Sequence, residues 1–103
     1  MYDPRNLKSL KLLAQYAPEA MAAYRGLQHA AAAEGALDGK AKALIALACA
    51  HVARCPYSID TRLAEARAAG AHEAEIAEAV LVAAAVQAGA TVMHGSHCYG
   101  TPE

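Results

Sequence analysis

Hydrophobic and polar positions alternate along this chain with a helical period, and proline and glycine punctuate them. A first helix is expected from about Asn6 to Ala17, and a second from Pro18, tolerated in a first turn, to about Glu34. Gly35 ends the second, and Asp38 precedes a third as its cap. That third helix, Gly39 to Arg54, places Leu44, Ile45, Leu47, Ala48, Cys49 and Val52 around nearly its whole circumference, which predicts burial on most sides. Cys55-Pro56 breaks it, because a residue before proline avoids the α region. A fourth helix, about Pro56 to Ala69, turns Ile59 and Leu63 inward and Asp60, Arg62, Glu65 and Arg67 mostly outward, and Gly70 closes it. A fifth starts near Glu73, with Glu73, Glu75 and Glu78 at its positive end, and becomes apolar from Val80 to Val86. Gly89 either breaks or thins it before Ala90 to His97, and the tail from Tyr99 is expected to fray.

Composition supports this reading. Alanine supplies more than a quarter of the 103 residues, and Phe and Trp are absent. Strong helix formers therefore dominate, and the expectation is a single all-α domain spanning 1–103, a compact bundle of five to six helices. Two helices apolar all round are too much for so short a chain to cover by itself, which predicts a homo-oligomer. A net charge of −1 with scattered Lys and Arg leaves no footprint for nucleic acid. The opening MYDPRNLKSL is polar and charged, unlike a signal peptide, and no apolar run approaches the roughly 20 residues of a bilayer span. Three cysteines make no disulfide framework, so a cytoplasmic protein without membrane partners is expected.

The run KALIALACAHVARCPYSIDTRLAEARAAGAHEAEIAEAV resembles the alkylhydroperoxidase D-like, or carboxymuconolactone decarboxylase-like, family, and the likeness extends over about 35–97. The ending Gly89 to His97 is similar to a branch associated with arsenosugar biosynthesis, whose members are described as peroxidase-like. The resemblance implies peroxidase-type oxidoreductase activity on a peroxide or other small molecule, no cofactor, and assembly as a trimer or hexamer. It also implies four reactive groups: a glutamate, two cysteines in Cys-x-x-Cys, and a histidine. Here Cys55 takes the first cysteine position, while Ser58, Arg62 and Ala43 stand where the second cysteine, the histidine and the glutamate are expected. Tyr57 and Asp60 fit the family's usual Cys-Pro-Tyr-Cys-Ile-Asp wording. Serine forms no disulfide and arginine is always protonated, so the two-cysteine cycle is excluded within this motif.

A one-cysteine chemistry is still open. Cys55 at an N-cap would gain from the helix dipole and free amides, with Ser58 as a hydrogen-bond donor and Arg62 two turns on as a cation. His51, four residues before Cys55, is the best substitute base, and Cys98 or an external thiol could resolve the oxidised sulfur. The competing reading is an inactive oligomeric scaffold or small-molecule-binding member in which Cys55 is inert. Arg62 then simply pairs with Glu65. Cys49 is expected in the core. His94, His97 and Cys98, at i, i+3 and i+4, are candidate metal ligands if the segment is helical.

Overall fold

The computed structural model describes residues 2–102, and helices are its only regular elements among them. A 3₁₀ turn, Pro4–Ser9, leads into α1 (Leu10–Tyr16), followed by α2 (Pro18–Ala32), α3 (Gly39–Ala53), α4 (Pro56–Ala68) and α5 (Glu73–His94). A second 3₁₀ turn, Gly95–Cys98, finishes the ordered path. The chain is all-α, as its alanine content dictates.

Each boundary has a local cause. Asp38 Oδ1 accepts the Ala41 N–H at 2.8 Å and caps α3. At the other end of α3, Arg54 adopts φ 55°, a left-handed conformation that costs a side-chain-bearing residue roughly 1–2 kcal/mol. Gly70 closes α4 at φ 93°, where an L side chain would be strained. His72 precedes α5, and Glu75 Oε1 accepts its N–H at 3.2 Å. The first helix departs from expectation: its opening turns are 3₁₀, with the Asp3 carboxylate accepting the Arg5 N–H at 3.0 Å. Gly89 does not interrupt α5, since its cost of about 1 kcal/mol is too small to stop a helix with alanine on both sides.

The elements form two groups. α3 packs extensively on both α4 and α5, whereas α1 packs mainly on α2, and α2 meets α3 only lightly. Two ion pairs fasten the first group: Lys40–Glu75 at 2.8 Å joins the starts of α3 and α5, and Arg67–Glu73 at 3.3 Å joins α4 to α5. α2 is tied to α3 through Lys42, whose ammonium donates to the carbonyl of Ala31 at 2.9 Å and to that of Ala33. Glu34 Oε1 adds a bond from the Gly39 N–H at 3.2 Å.

What this framework buries is small. The core consists of Leu47, Ala50, Ala66, Ala71 and Ala83, and neither α1 nor α2 contributes a buried residue. The expected burial of α3 on most sides is not met within one chain: Ile45 and Val52 are exposed, and so is Cys49, which was expected in the core. Along α5, Leu81, Val82, Val86, Val92 and Met93 are all exposed. The accessible surface is 7876 Å², against roughly 5,500 Å² for a folded monomer of 10.6 kDa. The radius of gyration, 17.3 Å, likewise exceeds the ~13 Å of a compact chain of this length. α5 with its 3₁₀ extension, Glu73–Cys98, is 26 residues and contains an 18-residue stretch with a mean hydropathy of 1.8, long and apolar enough to cross a membrane by length and composition. A search for an unbroken apolar run passes over it, because Glu78, Gln87 and Thr91 punctuate the apolar letters.

Candidate functional site: the α3–α4 corner and its groove

The break at Cys55-Pro56 turns the chain between α3 and α4. Cys55 is the N-cap residue of α4, in extended conformation with Pro56 at the first helical position, and its thiol is half-buried. Its Sγ accepts the Ser58 N–H at 3.5 Å. The thiol pKa is lowered from the ordinary 9.0, first by the Ser58 hydroxyl, then by the Ser58 and Tyr57 backbone N–H groups, while partial burial opposes them. A thiolate is thus favoured by donors that the helix start itself supplies.

The other expected partners lie elsewhere. Arg62 does not fold back to the sulfur; its Nη1 donates to Glu65 Oε2 at 2.9 Å, one turn further along α4. His51, near the end of α3, has Nδ1 2.9 Å from the Leu47 carbonyl and is half-buried. In the tautomer that donates there, Nε2 remains an acceptor, yet no hydrogen bond joins His51 to Cys55. Ala43 lies on α3 with no polar group to offer. The corner therefore brings together Cys55 and Ser58, and leaves His51 and Arg62 outside that pair.

At the far end of α5, the rings of His94 and His97 meet edge to face with centroids 5.0 Å apart. Among the described residues no three His, Cys, Asp or Glu side chains converge to hold a metal ion. The chain tightens into a 3₁₀ turn after His94, so His97 and Cys98 do not continue the α-helical spacing that would aim all three at one point.

Two open cavities lie along the helices that meet at the corner. The larger, about 560 Å³, lies between α2, α3 and α4, with walls from Ala31, Ala32, Leu37, Ala43, Ile45 and Ala46. Lys42, Arg62 and Glu65 are its charged lining. The smaller, about 370 Å³, lies between α1, α2 and α4 and is lined by Tyr24, Arg25, Tyr57, Ser58 and Thr61 among others. Gln28, Arg62 and Glu65 line both. Cys55 lines neither; Ser58 is the residue that touches its sulfur and also faces the smaller cavity.

One arrangement had no signal in the pattern of the chain. The Tyr57 hydroxyl accepts from Asn6 Nδ2 at 3.0 Å and from the Asp3 N–H at 3.3 Å, and Tyr2 donates its hydroxyl to Asp60. The rings of Tyr2 and Tyr57 meet at 4.7 Å, inclined by 62°. That hydrogen bond to Asp60 is the chief reason the Tyr2 hydroxyl is pushed up to about 12. The first residues of the chain are thereby fastened to the first turn of α4, beside Cys55.

The site is thus a cysteine held at a helix start, on a short helix pair backed by an apolar third helix, in a small all-helical fold that fits the alkylhydroperoxidase D-like class the sequence resembles. The profile of the carboxymuconolactone decarboxylase family matches residues 18–98, and the chain belongs to that family. A relative from Paracoccus denitrificans, "Uncharacterized protein 4 in cox locus", is 43% identical over 74 residues, covering 72% of this chain and 67% of its own. A protein of known crystal structure from Methanobacterium thermoautotrophicum superposes with a TM-score of 0.79 at 32% identity, covering 84% of this chain and 98% of its own.

Proposed function

We propose that this chain is a peroxidase-like oxidoreductase that works through Cys55 alone, within a homo-oligomer. The observation that carries the reading is the capped sulfur, with its pKa lowered by Ser58 and by the amides of the α4 start. The thiolate attacks the distal peroxide oxygen, the O–O bond breaks, and the alkoxide leaves to be protonated by water, so Cys55 becomes a sulfenic acid. An external thiol condenses with it, releasing water and forming a mixed disulfide. A second thiol then restores Cys55 and departs as a disulfide. Cys98, exposed in the 3₁₀ turn that follows α5, is an alternative first resolver.

Assembly is supported by the surplus surface. Roughly 2,400 Å² beyond a monomer's share exceeds one standard interface, which takes about 800 Å² per partner. More than one interface per chain suits a ring of three, or two such rings, better than a dimer. Protein covers these faces better than lipid does. α3, at 15 residues, is too short to span a bilayer, yet its Ile45 and Val52 are exposed as well.

The test is treatment with hydrogen peroxide in the presence of dimedone, followed by peptide mass spectrometry. An adduct at Cys55, and peroxide consumption lost in Cys55→Ala, are expected. A folded, unmodified Cys55 would defeat the reading. A second reading, a binding member without turnover, draws on the placement of Ala43 and Arg62. Both line the larger cavity, Cys55 does not, and neither of them can shuttle a proton.

A further inference from the structure

The two cavities share Gln28, Arg62 and Glu65, so they are adjoining parts of one groove with unlike ends. The α2–α3 end is walled by alanines with Leu37 and Ile45, and its cation, Lys42, is engaged by the last carbonyls of α2. The α1–α4 end is lined by Tyr24, Thr61 and Arg25, and Arg25 pairs with no carboxylate among the described residues. Arg62 stands between the ends, and only its Nη1 is taken, by Glu65. Two arginines and one glutamate thus line this end of the groove in a chain whose net charge is −1, so the positive surplus is local. A volume of about 560 Å³ for the apolar end lies within the ordinary range of small-molecule sites.

We propose that this groove is a site for a small amphipathic organic anion, a medium-chain carboxylate, with its head at Arg25 and Arg62 and its hydrocarbon tail against Ala31, Ala32, Leu37 and Ala43. Arginine provides planar, paired donors for a carboxylate, and the tail removes from water an alanine-lined wall that no side chain of this protomer covers. The sulfur itself lies outside the groove, since Cys55 lines neither cavity, and Ser58 is the residue common to the thiol and the α1–α4 end.

Calorimetric titration of the whole chain with octanoate tests it, beside octanol, which has the tail without the charge, and acetate, which has the charge without the tail. Saturable binding of one octanoate per chain is expected, with octanol at least tenfold weaker and acetate undetectable. Arg25→Gln and Arg62→Gln should each weaken octanoate at least tenfold, Arg62→Lys should retain part of the affinity, and Cys55→Ala should leave it unchanged, with circular dichroism confirming the fold. No saturable heat with octanoate overturns the proposal, as does octanol binding equally well or indifference to both arginine substitutions. If Arg25→Gln instead lowers the assembled mass in light scattering and octanoate is not taken up, the groove is a surface for a second copy of the chain, and the proposal fails.

Discussion

The corner between α3 and α4 and the outward faces of α3 and α5 are built on opposite terms. At the corner, polar groups find partners within the same chain: Cys55 with Ser58, Arg54 N–H with the carbonyls of Ala50 and His51 and Arg62 with Glu65 a few residues away, and Tyr57 and Asp60 with residues 2–6. The outward faces are satisfied by nothing in the chain, and Leu81, Val86 and Met93 stand bare. The lesson is that chemistry and cohesion are separated here: one chain suffices to shape the thiol site, whereas stability is expected to come from neighbours.

The largest effect should follow from attacking the bare face. Leu81→Lys with Val86→Lys is expected to abolish assembly, since each buried Leu or Val contributes about 1.5–3 kcal/mol. Light scattering should show protomers that unfold at lower temperature, and an unchanged mass would merge the two regions into one self-sufficient unit. Next comes restoration of the corner. Ala43→Glu, Ser58→Cys and Arg62→His together should raise peroxide turnover at least tenfold, a floor beneath the roughly hundredfold or more that a positioned general acid or base contributes. A folded variant with no gain would mean that the corner does not hold these positions as the family likeness implies.

Smaller is the expected effect of Ser58→Ala. Because Ser58 is the main cause lowering the Cys55 pKa, its hydroxyl's removal should move the pH profile of iodoacetamide alkylation upward, toward the ordinary thiol value of 9.0. The smallest concerns Lys40–Glu75. The Glu75 pKa is lowered chiefly by Lys40, so the stability it confers is present above the ordinary glutamate value of 4.5 and fades as pH falls below that. Lys40 is raised above 10.5 by the same partner, so its share is present below that value and fades as pH rises past it. In Lys40→Gln, thermal denaturation should show a small lowering of the melting temperature at pH 7, shrinking toward pH 3, because the pair is partly solvated.

The same division explains what the sequence disclosed. Boundaries set by short-range chemistry were legible: Asp38 before α3, Cys55-Pro56 between α3 and α4, Gly70 after α4, Glu73 at the start of α5. So were the N-cap position of Cys55, its bond to Ser58 and the Arg62–Glu65 pair. Periodicity counts apolar residues without saying what they touch, and so it placed Cys49 and most of α3 inside. Contacts such as Tyr57 with Asn6, separated by 51 positions, leave no periodic trace. The groove was equally hidden, because alanines from α2 and α3 become a wall only once Lys42 has drawn the two helices together.

The hold of Tyr57 and Asp60 on residues 2–6 has a practical corollary for anyone handling this protein. A purification tag fused ahead of the chain pulls on a tether anchored one turn from the thiol. Tagged and untagged preparations should therefore be compared before any reactivity is ascribed to the native sulfur.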